Sequence, residues 1–384
     1  MNTTSALNKP SSKKLNALIL SGGGARAAYQ VGVLSHIAQR NAGVAFPILS
    51  GVSAGAINAA FIAGHRGSFL EAVAELKRNW CSLTTNRVFR SSPSALGWMA
   101  LRWAVRLFSG GTHLAPRVRG LVDTSPLRRF IMEHFDPEAV DENVRAQRLH
   151  ALGVVTTCYR TGQTVTYVQG EPTIEMWQRV RRHAKQDSIT VDHIMASAAI
   201  PLMFPAIRIQ NEGYFGDGSL RQAAPLAPAV HLGADRVLAI ANRIEIEESY
   251  GQEQFDYPPP AHIIGLLFHS IFLDNLDADA ALLERINTIL RQIPPEHRTH
   301  GSLRPIDLLI VRPSQDLGAL AGEYEQFLPG AVRFLLRGLG AKQRGASDFL
   351  SYILFEPEYV MRLIQIGEQD AEKQWDRIRD FFLA

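Results

Sequence analysis

A serine set between two glycines, Gly51-Val52-Ser53-Ala54-Gly55, is the most chemically pointed spacing in this chain. The apolar run Val44 to Leu49 leads into it, and the small residues Ala54 to Ala60 lead out. That is the strand–turn–helix setting in which a serine hydroxyl projects at the mouth of a sheet, at a helix N-terminus that favours developing negative charge. A serine held there could attack an acyl carbonyl. The plainer reading of the same five residues is a turn with a helix-capping serine.

A second glycine cluster lies upstream. The short apolar run Leu15 to Leu20 ends in Ser21-Gly22-Gly23-Gly24-Ala25-Arg26, and a helical pattern follows from Ala27 to Ile37. Consecutive glycines present bare backbone N–H groups, which suit either a phosphate or an oxyanion. Gly22, Gly24 and Ala27 formally fit a dinucleotide fingerprint, but that fingerprint needs an acid about 20 residues further on. Residues 1–70 contain no Asp or Glu, and the first acid is Glu71. No Gly-Lys-Ser/Thr follows the glycines, so a Walker loop is excluded. Acyl transfer is the chemistry that joins the two glycine segments.

A serine hydroxyl needs a base. A Ser–acid–His order would draw on His231, His262, His269, His297 or His300, none of which stands at a strand-to-loop junction. Asp217 does, in Gly213-Tyr214-Phe215-Gly216-Asp217-Gly218 after the short strand Ala206 to Ile209. Burial in apolar surroundings would raise its pKa and make it a competent base. An ordinary Asp-Gly turn is the alternative.

In this order the three segments resemble the patatin-like phospholipases. The match rests on Gly22-Gly23-Gly24-Ala25-Arg26, on Gly51-Val52-Ser53-Ala54-Gly55, on Asp217-Gly218-Ser219, and on Ala196-Ser197-Ala198-Ala199-Ile200-Pro201-Leu202-Met203-Phe204-Pro205. It spans about residues 15–245. The resemblance implies a Ser–Asp dyad, with Ser53 as nucleophile and Asp217 as general base. The amides of Gly22, Gly23 and Gly24 would form the oxyanion hole. Arg26 would either contact a lipid phosphate or hold the loop in shape, the second being favoured. Ser219 departs from the usual Gly or Ala, and a hydrogen bond from it would lower the pKa of Asp217. No metal or organic cofactor is implied.

Strands alternating with helices must position these groups. The pattern predicts an α/β fold, a mainly parallel central sheet covered by helices on both faces. The expected order is a disordered tail over 1–14, a catalytic domain over 15–245, and a mostly helical C-terminal region over 246–384. Val154 to Tyr159 and Thr164 to Val168 read as paired strands. The spacing predicts a helix over 172–185 that turns Arg179, Arg181 and Arg182 to solvent. Charged Glu245, Glu247, Glu248 and Glu253 before Pro258-Pro259-Pro260 read as a linker. Ile263 to Leu273 reads as an apolar helix, Asp277 to Leu290 as an amphipathic one, and Leu308 to Val311 as one more strand.

An Arg-rich insert over 88–120 interrupts the catalytic domain. Residues 87–129 hold eight Arg, no Lys and one acid, Asp123. Within the insert, over residues 95–108, Leu96, Met99, Ala100, Trp103 and Leu107 follow helical spacing, with Arg102 and Arg106 on another face and Trp98 and Phe108 in the same segment. This helix is a lid or membrane-docking segment lying in a lipid interface, or a core helix. Composition bounds the rest. Of the 384 residues 46% are apolar and 20% charged, with two cysteines and a net charge of +3. That suits a globular protein of a reducing compartment without a disulfide framework. No apolar run reaches 18 residues, and Asp274 to Asp279 lacks the ordered ligands of a calcium loop. The expectation is a cytoplasmic serine lipid acyl hydrolase of phospholipase A or lysophospholipase type, touching membranes peripherally, with no nucleic-acid partner. A patatin-fold binding protein with a dead site, and a Ser-His-Asp esterase, are the alternatives.

Overall fold

The computed structural model describes residues 14–109, 119–244, 260–272, 275–294, 303–338 and 347–383. The expected tail (Lys14 apart), the linker residues 245–259 and the Gly110-Gly111 part of the insert lie outside them. The strands are β1 (Asn16–Leu20), β2 (Ile48–Val52), β3 (Ala151–Cys158), β4 (Gln163–Gly170), β5 (Gln178–Arg179), β6 (Arg182–Gln186), β7 (Ile207–Ile209), β8 (Gly213–Asp217), β9 (Arg236–Ile240) and β10 (Asp307–Val311). Ahead of β3 come α1 (Ala28–Arg40), α2 (Ala54–Ala63), α3 (Phe69–Cys81), α4 (Thr85–Val88), α5 (Pro93–Phe108), α6 (Ser125–His134) and α7 (Pro137–Arg145). Then follow α8 (Val191–Ser197), α9 (Ala227–His231), α10 (Pro260–Phe272), α11 (Asn275–Gln292), α12 (Leu317–Ala321), α13 (Gly330–Gly338), α14 (Ser347–Ile353), α15 (Pro357–Lys373) and α16 (Trp375–Leu383).

All the strands join one sheet in the order β10-β9-β1-β2-β3-β4-β6-β5, with β8 on β3 and β7 on β8. The run β10-β9-β1-β2-β3 is parallel throughout. The β3–β4 pair is antiparallel, as is β8 against β3. Alternation along β1 shows how the sheet is covered. Leu18 and Leu20 enter one apolar cluster with α1, α2 and α15. Ala17 and Ile19 enter a second, with Leu226 and Ala229 near α9 and Leu276 of α11. A strand buried on both faces reads as the continuous apolar run seen in the sequence. From β1 the chain continues to β2 on one side and returns as β9 on the other. The carboxyl end of β1 is therefore a topological switch point, where open α/β sheets form their crevices.

Two expectations change. Residues 172–185 are not a helix: β5 and β6 form a tight hairpin, and β6 lies parallel to β4 from Thr164↔Arg182 to Val168↔Gln186. Arg181 turns the hairpin at φ 61°. Main-chain pairing on the open edge of β4 outweighs a weak helical pattern. The stretch 246–384, expected as an extension, contributes β10 to the same sheet and packs α15 on α1 in the same core.

Candidate active site

β2 delivers Ser53 and α2 leaves from it. Ser53 takes φ 55° and ψ −131°, a conformation a serine adopts only under constraint. The flanking glycines answer a close crossing. A Cβ on Gly51 would come within 2.3 Å of the Gly55 carbonyl, and one on Gly55 within 2.2 Å of the Leu20 carbonyl. The Ser53 hydroxyl makes no capping bond to α2, so the helix-capping reading does not describe it. Instead its amide donates to Ser197 Oγ at 3.0 Å, and Ser197 Oγ donates to the Val155 carbonyl at 2.6 Å. Ser197, from the Ala196 to Pro205 motif, thereby ties the strained turn to β3.

Asp217 ends β8, beside Thr156 of β3. Its amide donates to the Ala199 carbonyl at 3.0 Å, and its carbonyl accepts Thr157 Oγ at 2.9 Å. The side chain is fully buried, with Oδ1 accepting the Ser219 amide at 2.9 Å. Burial pushes the carboxyl up to about 7, against the opposing pull of the Ser53 hydroxyl and of Ser219. Oδ2 nonetheless lacks a partner with full hydrogen-bond geometry, as does Ser219 Oγ. Ser53 and Asp217 are thus close enough to interact but not aligned as a finished bond, a common state of catalytic pairs without substrate.

The glycine loop lies over the same turn. Its carbonyls are occupied: Gly22 accepts Asn242 Nδ2 at 2.8 Å, Ser21 accepts Gln30 Nε2 at 2.8 Å, and Gly23 accepts the Arg26 amide at 3.2 Å. Among the described residues, the amides of Gly22 and Gly23 donate to no protein acceptor. Gly24, at φ 56°, has no room for a side chain, since a Cβ would stand 2.1 Å from the Tyr352 carbonyl. Asn58 braces the arrangement from α2, donating to Gln30 Oε1 at 2.9 Å and accepting Trp80 Nε1 at 2.7 Å.

Arg26 is 1% exposed, which fits the favoured loop-holding role and leaves its guanidinium no open face for a lipid phosphate. Nε donates to Ser351 Oγ at 2.6 Å, Nη2 pairs with Asp348 Oδ1 at 2.7 Å, and the guanidinium lies 4.8 Å from the Tyr352 ring centre. Asp348 Oδ2 faces His269 Nδ1 at 3.5 Å. Burial would raise the Asp348 carboxyl, but the His269 and Arg26 contacts prevail and hold it below its ordinary value. The loop is thus clamped by α10 and α14, from the C-terminal region.

Ser53 and Gly24 open into an apolar pocket walled by Ile57, Trp80, Phe130, Ile200, Phe204 and Phe355. Among the described residues its lining contains no histidine and no charged group. His231 stacks on Trp177, His269 faces Asp348, and His297 and His300 lie outside the described residues. The cavity is narrow, about 30 Å³, so an acyl chain must part its walls. No group of three or more metal-binding side chains occurs among the described residues.

A family model described as "Patatin-like phospholipase" matches residues 18–230. Among solved structures, VipD from Legionella pneumophila aligns at TM-score 0.39 and 11% identity, over 95% of this chain and 67% of that one. Human GIVD cytosolic phospholipase A2, in complex with methyl gamma-linolenyl fluorophosphonate, aligns at TM-score 0.45 and 12% identity, over 96% and 58%. The chain thus spans about two thirds or less of these two proteins. No curated protein matches its sequence.

Proposed function

Because the chain belongs to the patatin-like phospholipase family, we propose that it is a serine lipid acyl hydrolase of phospholipase A or lysophospholipase type, working through a Ser53–Asp217 dyad. One observation carries the reading: a strained Ser53, at the mouth of an apolar pocket, meets a buried Asp217 whose carboxyl is pushed to about 7.

Ionised Asp217 takes the hydroxyl proton as Ser53 Oγ attacks the ester carbonyl. The free amides of the glycine loop hold the resulting oxyanion, which a preorganised site stabilises more strongly than water does. The tetrahedral intermediate expels the alcohol portion, to which Asp217 returns the proton, leaving the acyl group on Ser53. Water then attacks the acyl-enzyme, with Asp217 again accepting and returning a proton, and the fatty acid departs. The apolar walls receive the chain and exclude water from the carboxyl. A base near 7 matches neutral operation, where base strength and ionised fraction are both substantial.

Delivery of substrate from an anionic lipid surface is supported by α5. No residue of this helix is buried. Trp98, Leu101, Val105 and Phe108, 61%, 53%, 43% and 93% exposed, form one outward stripe at helical spacing. Such a stripe amid an arginine-rich segment suits the interface of an anionic bilayer. Leu96 packs against the core and Trp103 Nε1 donates to the Gly120 carbonyl at 3.2 Å, so another face of the helix is tethered while this stripe stays outward. No helix among the described residues is long and apolar enough to cross a membrane.

The test is product analysis on mixed phospholipid vesicles. Wild type should release fatty acid and the matching lysolipid. Ser53→Ala and Asp217→Asn should each release neither, while keeping a native circular dichroism spectrum. Release by both variants at the wild-type rate would refute the dyad.

A further inference from the structure

The β5–β6 hairpin brings Arg179, Arg181 and Arg182 round to face Arg221, about forty residues away in sequence, on the turn Gly218–Arg221 that follows Asp217. All four line one open cavity of about 650 Å³. Among the described residues its other polar groups are neutral, including Thr164, Thr166, Gln222 and Asn275, and none of them contributes a carboxylate to the wall. Arg179 Nη1 donates to the Gln178 carbonyl at 2.9 Å and Arg221 Nε to the Gly162 carbonyl at 3.1 Å. Among the described residues, none of the four has an acidic partner within ion-pair distance.

Holding four guanidiniums around one hollow without a counter-charge costs folding free energy. The positive field reaches the wall. His231, stacked on Trp177 with ring centres 4.8 Å apart, is pulled down to about 4 by burial first and then by Arg179 and Arg182. Asp279 of α11, whose carboxyl feels Arg182 from outside ion-pair distance, accepts the Leu226 amide at 2.8 Å and does not line the cavity. Guanidinium forks match phosphate oxygens in pairs, and the volume lies in the range of small-ligand pockets.

We propose that this cavity binds a phosphate-bearing anion carrying two or more negative charges. The arginines belong to no part of the hydrolytic machinery described above, so this inference stands whether or not the dyad reading does. The same chemistry is offered by a soluble phosphate compound and by a phospholipid headgroup.

The experiment is titration calorimetry of the full chain with inorganic pyrophosphate and, separately, with monomeric dihexanoyl phosphatidic acid. At least one probe should bind with Kd below about 1 mM, and binding should weaken at higher salt. Arg181→Gln combined with Arg221→Gln should weaken it at least tenfold, and the corresponding double Lys variant should recover part of the loss. Both positions are exposed, so thermal stability and soluble-ester hydrolysis should persist. Binding of both probes assigns a soluble phosphate compound; binding of the lipid probe alone assigns a headgroup. Failure of both to bind at about ten times that concentration, or equal binding by the double Gln variant, would overturn the proposal.

Discussion

At Ser53 and Asp217 backbone strain and burial are in place before any substrate arrives, as the proposed dyad requires. The base must be ionised, so kcat/KM on a soluble ester should rise with pH through about 7 and then level off. The same shift affects stability. The folded pKa lies above the ordinary 3.8, so the folded state binds the proton more tightly than the unfolded chain does. The contribution is fully present below pH 3.8 and is lost as pH rises to about 7. Above that, the buried charge costs the fold on the order of 4 kcal/mol. Asp217→Asn should therefore lower kcat by ~10³ while raising the melting temperature at pH 8, as thermal denaturation would reveal. A melting temperature lower than wild type would argue against a costly buried carboxylate. The glycine-bounded turns that carry Ser53, Asp217 and Gly22 to Gly24 were legible in the sequence because glycines at fixed spacing mark sharp turns. Ser197, Asn242, Gln30 and Asn58 were not. They are ordinary polar residues whose roles arise only from the neighbours that folding brings to them.

Elements carry the next set of constraints. The loop holding the glycine amides is braced by α14 through Arg26 and Asp348. Asp348→Ala would strand a buried guanidinium, at a cost of about 3 kcal/mol, and should slow acylation of Ser53 more than it changes KM. Denaturant titration and burst kinetics would separate the two effects; a variant with wild-type stability and acylation would show the clamp to be idle. For α5, replacing Trp98 and Phe108 with Ser should weaken vesicle binding at least tenfold and leave soluble-ester hydrolysis intact, since neither side chain is packed. Equal loss of both activities would return α5 to the core. A mainly parallel sheet with helices on both faces could be anticipated from alternating β and α patterns, though not its strand order. The β5–β6 hairpin could not, because an edge pairing depends on a partner strand that the local sequence does not reveal.

Across the whole molecule, the family-matched residues 18–230 do not make a complete core. β10 pairs with β9 along its full length, and α15 crosses α1 so closely that a Cβ on Gly32 would meet the Ile364 carbonyl at 2.0 Å. Phe355, beyond the matched span, walls the apolar pocket at Ser53. Truncation after residue 244 should therefore yield an aggregating chain without a cooperative melt, and a soluble, active 1–244 fragment would contradict this view. Composition and motif placement indicated the fold class, but the interdependence of the two halves rests on long-range packing that no local pattern encodes. The central claim is tested most directly by labelling the full chain with a fluorophosphonate and mapping the adduct by peptide mass spectrometry. The account expects a single adduct on Ser53, absent in Ser53→Ala and strongly slowed in Asp217→Asn. An adduct on another residue, or undiminished labelling of Ser53→Ala, would contradict it.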